Sequence, residues 1–298
     1  MAAPDGGAAG GEHRPALAER SIRVDGVRVF LRESPEPAEP ASHAARAMMH
    51  VHGFGLSGRY LVPTAERLAG RFRTIVPDLP GFGRSGRRRG ALDVPDLARS
   101  AVEILDELGI ERATLVGNSM GCPVICEFAH DYPDRLERAV LVSPAGGLHN
   151  QPLVRAVGQL AKDGRREPTS LIRVVTPDYL RFGVPSTVRM FRSLTRYPTL
   201  ERLLALDAPT LVVVGDRDPL MPSAARIREV AAHIDNRVVV VTIEGAAHAI
   251  NFSHPDELAR VIGLFMDDRP LVVEPGSPGA ARIVEIHRGA RGSAPQSE

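Results

Sequence analysis

Ser119 stands in Gly117-Asn118-Ser119-Met120-Gly121, directly after the apolar run Ala113-Thr114-Leu115-Val116 and at the head of a helical stretch. Glycines two residues before and after a serine permit a strand-to-helix turn so tight that the central side chain projects alone. A serine hydroxyl is a poor nucleophile at neutral pH, so the turn carries chemistry only alongside a base and an orienting acid. Both follow, in the order serine, aspartate, histidine. Val213-Val214-Gly215-Asp216-Arg217-Asp218-Pro219-Leu220-Met221-Pro222 ends an apolar run with two carboxylates, and the G-x-x-D-x-x-x-P spacing from Gly215 selects Asp218 over Asp216. His248, in Glu244-Gly245-Ala246-Ala247-His248-Ala249, follows the last strong strand pattern and precedes the last helix. The expected chemistry is proton transfer from Ser119 to His248 and back to a leaving group. Asp218 would hold the imidazole tautomer and stabilise its cation.

Such chemistry also needs donors for a developing oxyanion. The Met120 amide, next to the nucleophile at a helix N-terminus, is one. The second is expected from the loop His52-Gly53-Phe54-Gly55 after Met48-Met49-His50-Val51, where a glycine-bracketed turn leaves the Phe54 amide to point inward. His52 reads as a brace for that loop.

Positioning these residues requires strands that end together. Apolar strand patterns cover Ser21–Val24, Val27–Arg32, Ala47–Val51, Arg73–Pro77, Ala113–Val116, Arg138–Val142, Thr210–Val214 and Arg237–Ile243. The inner ones are continuous Val/Leu/Ile runs, as parallel strands covered on both faces require. Amphipathic helices separate them: Leu97, Ala101, Ile104, Leu105 and Leu108 share one face, as do Leu258, Val261, Ile262, Phe265 and Met266. The alternation implies a doubly wound α/β sheet with its ligand at the carboxyl ends of the strands. Residues 145–206 break the rhythm, with no strand pattern and prolines at 152, 168, 177, 185 and 198. That is too long for a plain loop, and a helical cap over the strand ends is the expectation. The resulting division is a disordered segment 1–18, core 19–144, cap 145–206, core 207–269 and a disordered Pro/Gly/Ser-rich tail 270–298.

Within the cap, Leu160, Ile172, Val175, Tyr179, Leu180, Phe182, Met190, Phe191 and Leu194 suggest an apolar roof, although most of them serve to pack cap on core. Tyr179 and Phe182, with Gly53 beside the oxyanion loop and Ala249 beside the base, are expected to meet the substrate.

Composition narrows the class. At 298 residues, 43% hydrophobic and 24% charged, the chain suits a soluble globular enzyme. The formal charge of +1 suggests neither nucleic acid nor an anionic membrane as partner, and no apolar run is long enough to span a bilayer. Cys122 and Cys126, four apart on one helix, read as small buried side chains rather than a disulfide or metal pair. The N-terminus lacks an apolar signal segment, so a cytoplasmic location is expected. Nothing resembles a phosphate loop, dinucleotide fingerprint or metal cluster, and the expected chemistry uses no cofactor or metal, only a small-molecule substrate. Oligomeric state, a homo-oligomer included, is left open.

Taken together, the H-G-x-G loop, Asp78-Leu79-Pro80-Gly81-Phe82-Gly83-Arg84-Ser85, the serine turn, the acid loop and the final histidine resemble the α/β-hydrolase superfamily over about Ser21 to Met266. The resemblance implies an α/β-hydrolase fold: a mostly parallel eight-stranded sheet, helices on both faces and a small helical cap after strand 6. It implies a serine triad too, since branches using an aspartate nucleophile would not carry Ser119. Gly117-Asn118-Ser119-Met120-Gly121 and Asp131-Tyr132-Pro133-Asp134-Arg135-Leu136 also resemble the meta-cleavage-product hydrolases, which cut carbon–carbon bonds. That likeness implies a substrate-orienting role for Asn118, while Ala249 stands where the group often has tryptophan. Cleavage of an ester-type bond through an acyl-enzyme is the leading expectation. Carbon–carbon hydrolysis, or a non-hydrolytic cyclase or binding protein on the same fold, are the alternatives.

Overall fold

Strands whose side chains are apolar on both faces must be covered on both faces, and that sets the architecture. The computed structural model describes residues 16–37, 47–88, 93–144, 153–220, 237–275 and 282–288. Strands β1 (Ala18–Val24), β2 (Val27–Glu33), β3 (Ala47–Val51), β4 (Arg73–Pro77), β5 (Ala113–Asn118), β6 (Leu136–Val142), β7 (Thr210–Gly215), β8 (Val238–Ile243) and β9 (Ile283–Arg288) form one sheet. Their order is β1-β2-β4-β3-β5-β6-β7-β8-β9. From β4 to β8 the neighbours are parallel, whereas β1 on β2, β2 on β4 and β9 on β8 are antiparallel.

Nine described strands replace the expected eight. The extra one comes from the tail expected to be disordered after 270, whose composition hid the run Ile283-Val284-Glu285-Ile286-His287-Arg288. Ile283 is buried there and β9 pairs the outer edge of β8, which would otherwise present unpaired backbone groups. Most of the N-terminal segment expected to be disordered, residues 1–15, lies outside the described residues.

Helices cover both faces. Helix α1 (Val62–Leu68) and the last helix, defined below, pack on one face over Met48, Val116, Val140 and Val213. Helices α2 (Val94–Glu107) and α3 (Gly121–Asp131) pack on the other over Met49, Leu115 and Leu141. Leu115 and Val116 thus feed opposite layers from adjacent positions of β5, as the two-residue period of a strand dictates. Helix α2 starts where Asp93 accepts the Asp96 amide at 3.0 Å and stops at Gly109, whose φ of +66° no further helical turn can use. Its Leu97, Ile104 and Leu105 are fully buried, each contributing about 1.5–3 kcal/mol.

Between β6 and β7 lie α4 (Leu153–Gly164), α5 (Thr169–Phe182), α6 (Val184–Arg196) and α7 (Thr199–Leu204). After β8 come α8 (Ile250–Ser253) and α9 (Pro255–Met266), the last of the described helices. Among the described residues no helix is long and apolar enough to cross a membrane.

Candidate active site

Ser119 caps the end of β5 at φ +56°, a left-handed conformation that costs a non-glycine residue on the order of 1–3 kcal/mol. The surroundings impose it. The Ser119 amide donates to the Val142 carbonyl at 3.0 Å, and its own carbonyl accepts the Cys122 amide at 3.1 Å. A Cβ on Gly121 would overlap the Val51 carbonyl oxygen, and one on Gly117 would stand 2.7 Å from the Gly121 backbone. Only glycines let α3 begin this close to β3 and β5. Pro123 does not disturb the helix, because its missing N–H falls in the first turn where no intrahelical acceptor exists.

Asp218 and His248 meet from the loops after β7 and β8. The His248 Nδ1–H donates to Asp218 Oδ2 at 2.7 Å, and Asp218 Oδ1 accepts the Leu220 amide at 2.8 Å. A Cβ on Gly215 would overlap the Ala246 carbonyl, so that glycine lets the two loops close on each other. Burial alone would raise the Asp218 carboxyl, but the His248 charge and hydrogen bond outweigh it and hold the group below its usual range. Burial alone would lower His248, yet Asp218 first, then Asp163 and Glu167, raise it to about 9. Asp216 instead accepts the Gly245 amide at 2.8 Å from an exposed position. With Nδ1 committed to Asp218, Nε2 is the ring nitrogen left to accept a proton.

The oxyanion loop is braced from beneath. His52 donates through Nδ1 to the Gly53 carbonyl at 3.0 Å and accepts the Leu79 amide on Nε2 at 3.0 Å, an arrangement that needs a neutral ring. Burial keeps it neutral by lowering its pKa. Asp78, fully buried, organises the neighbouring segment by accepting from Arg32 at 3.0 Å, the Gly58 amide at 2.9 Å and the Arg84 amide at 2.8 Å. Gly53 lies against Ser119, since a Cβ there would come within 3.2 Å of the Ser119 Cβ. Its amide is spent on the Tyr60 hydroxyl at 2.8 Å, which leaves the next amide, Phe54, as the loop's candidate donor.

Two residues expected to meet the substrate make hydrogen bonds within the protein. Asn118 is 2% exposed and its amide is committed within the protein. Its Oδ1 accepts the Tyr60 hydroxyl at 2.7 Å, while Nδ2 donates to the carbonyls of His248 at 3.1 Å and Val142 at 3.2 Å. It ties Tyr60, and through it Gly53, to the loop of His248. Ala249 packs its methyl with Tyr60, Leu61 and Leu171, and gives its amide to Glu167.

Tyr179 and Phe182, on α5, pack against the loop that follows β3. The Tyr179 ring covers Gly55, and Phe182 stacks on Phe82 at 4.8 Å while meeting Phe54 edge-on at 5.8 Å. Burial, then the charges of Asp163 and Asp178, push the Tyr179 phenol up to about 12, so it remains neutral. Leu180 and Ile172 point the other way, 80% and 51% exposed on the outer helix face, and are not part of a roof. The Leu160 side chain lies outside the described residues.

Four site residues had no assigned role in the sequence. Tyr60 bridges Gly53 and Asn118, and nothing in its local pattern signals that. Asp163, Glu167 and Asp178 are buried cap carboxylates that accept backbone amides from the core: His248 at 3.1 Å, Ala249 at 2.6 Å and Ser57 at 2.9 Å. A signal did exist for one of them, because Asp163 follows Gln159 by four residues and so shares a face of α4 with it, whereas Glu167 lies in the turn after that helix.

The model of the alpha/beta hydrolase family matches residues 48–261. A poly(3-hydroxyalkanoate) depolymerase of Ectopseudomonas oleovorans is 27% identical over 267 residues, covering 83% of this chain and 92% of its own. A 2-hydroxy-6-oxo-6-phenylhexa-2,4-dienoate hydrolase of Comamonas testosteroni is 27% identical over 266 residues, covering 78% and 90%. Among solved structures, a bacterial membrane phospholipase A superposes with a TM-score of 0.71 at 25% identity, covering 85% of this chain and 86% of that one. A thermophilic esterase of Thermogutta terrifontis superposes at 0.69 and 23% identity, covering 84% and 98%, a likeness of fold.

Proposed function

The chain belongs to the alpha/beta hydrolase family of enzymes, and from that premise we propose that it is a serine hydrolase. It cleaves an ester-type bond (ester, lactone or thioester) of a small to medium apolar substrate through an acyl-enzyme. One observation carries the reading: a serine held at φ +56° on a strand-to-helix turn, with a histidine paired to a buried aspartate at 2.7 Å on the loops beside it. In the acylation step His248 Nε2 takes the Ser119 proton as Oγ attacks the carbonyl carbon. The Met120 and Phe54 amides hold the oxyanion of the tetrahedral intermediate. Collapse expels the leaving group with the proton from His248. Water then repeats the sequence on the acyl-serine, with His248 again base and then acid, and the acid product leaves. Asp218 keeps Nδ1 protonated throughout and stabilises the imidazolium.

The relative named as a dienoate hydrolase favours a second reading, cleavage of a carbon–carbon bond. The committed amide of Asn118 weighs against it, because that reading asks this side chain to orient the substrate. Two measurements test the choice. A fluorophosphonate probe should label wild-type protein at Ser119 and fail on Ser119→Ala, which should lose on the order of 10⁴–10⁶ in rate. Nitrophenol release from short p-nitrophenyl esters should proceed with a larger kcat/KM than loss of a dienoate chromophore. Unlabelled wild type would favour a binding protein, and a faster dienoate reaction would favour the carbon–carbon hydrolase.

A further inference from the structure

The cap touches the core through carboxylates aimed at backbone amides of the two loops that flank Ser119. Helix α4 and the turn after it meet the acid and base loops at four points. Gln159 donates to the Pro219 carbonyl at 3.2 Å, and Asp163 Oδ1 accepts the His248 amide at 3.1 Å. Arg166 donates to the Arg217 carbonyl, and Glu167 Oε1 accepts the Ala249 amide at 2.6 Å. On the other side of the site, Asp178 of α5 accepts both the amide and the hydroxyl of Ser57, at 2.9 and 2.6 Å.

Burying carboxylates is costly, and a cap needs only apolar surface to sit on a core. Asp163 and Glu167 are 5% and 8% exposed, and Glu167 Oε2 is buried with no hydrogen-bond partner. Two charges this close to Asp218 repel it as well as each other. Such an arrangement destabilises the free protein unless it does something for the loop that it holds. What it holds is the backbone of His248 itself and of the residue after it.

We propose that Asp163 and Glu167 are positioning residues: from the cap they clamp the base loop and fix the place of His248 relative to Ser119. The proposal rests on His248 being the base. Neither carboxylate touches the reacting atoms. Each acts through a backbone amide of the 248–249 loop, and a displaced base costs rate steeply, about 10²-fold per ångström. The clamp also has an electrostatic side. The charged groups facing His248 are Asp218 from the β7 loop and Asp163 and Glu167 from the cap, with Arg166 facing Asp163. Both cap carboxylates favour the protonated imidazole. Burial pushes Glu167 itself up to about 7, so part of this influence switches on as pH rises through neutrality.

The test is the pH profile of p-nitrophenyl ester hydrolysis by wild type, Asp163→Ala, Asp163→Asn, Glu167→Gln and Asp178→Asn. Asp163→Ala loses both acceptor and charge, and kcat should fall by about 10- to 100-fold with KM nearly unchanged. Asp163→Asn keeps an acceptor for the His248 amide and should recover most of that loss. Asp163→Asn and Glu167→Gln should each move the acid limb of kcat/KM to lower pH, by about one unit. Asp178→Asn, which loosens the cap on the far side, should leave that limb in place. Glu167→Gln is nearly isosteric and guards against an Asp163 variant that does not fold. An unmoved acid limb in both charge-removing variants, a wild-type kcat in Asp163→Ala, or an Asp163→Asn as slow as the alanine would each overturn the clamp. His248→Ala separates the two ideas. If it stays active, the base assignment fails; if it is dead while the limb does not move, only the clamp fails.

Discussion

At the scale of single residues, the two aspartates after β7 illustrate how little separates a carboxylate paired with a histidine from a turn residue. Asp216 and Asp218 differ by two positions, yet one is exposed on the Gly245 amide and the other is buried on His248. Asp218→Asn should therefore cost about 10⁴ in kcat, by allowing the wrong imidazole tautomer, while Asp216→Asn stays within about tenfold of wild type. Steady-state kinetics on a p-nitrophenyl ester decides it, and equal losses would sink the assignment. The spacing from Gly215 made this distinction legible, because a chemical motif on one loop is local in sequence. Asn118 was not legible in the same way. Its partners Tyr60, Val142 and His248 come from three distant parts of the chain, and a resemblance of motif cannot report which bonds an amide makes.

At the scale of elements, the continuous apolar runs and the 3.6-residue periods gave the strands and main helices, since burial on two faces or on one leaves a plain imprint. Less visible were contacts made by absence. Gly121 has no side chain because α3 must start against the Val51 carbonyl, so Gly121→Ala should force the helix away from β3. We expect a loss of roughly 3 kcal/mol or more, read as a lower urea midpoint, together with loss of fluorophosphonate labelling as Ser119 moves. A variant with wild-type stability and labelling would show that the elbow tolerates a wider turn. The cap helices were legible as amphipathic pieces, but Asp163 at the end of α4 and Glu167 in the turn after it carry no mark of a seam. In a sequence, a buried carboxylate looks the same as a solvated one.

At the scale of the whole molecule, stability depends on which buried histidines can hold a proton. His50 sits in the middle of β3, fully buried, with neither ring nitrogen hydrogen-bonded, and burial lowers its pKa to about 3. Above pH 6.5 the ring is neutral in both folded and unfolded chains and adds no slope. Below 6.5 the unfolded chain binds a proton that the fold refuses, so stability falls until about pH 3, by at most about 5 kcal/mol. His52 acts in the same direction. His248, raised to about 9, has the opposite sign: its contribution is complete below 6.5 and is lost as pH rises through 9. Urea titrations should show the acid slope flattened in His50→Leu and retained in wild type; identical slopes would remove His50 as a cause. The final strand bears on how the molecule is made. Strand β8 reads Val238-Val239-Val240-Val241-Thr242-Ile243, an uncharged β-branched run of the kind that templates cross-β pairing. A nascent chain exposes that run before 283–288 has been synthesised, and in the interval its outer edge can recruit the same edge of a neighbouring copy. The hazard of aggregation at birth is thus governed by a segment that carries no chemistry, the late-arriving β9 that seals the sheet.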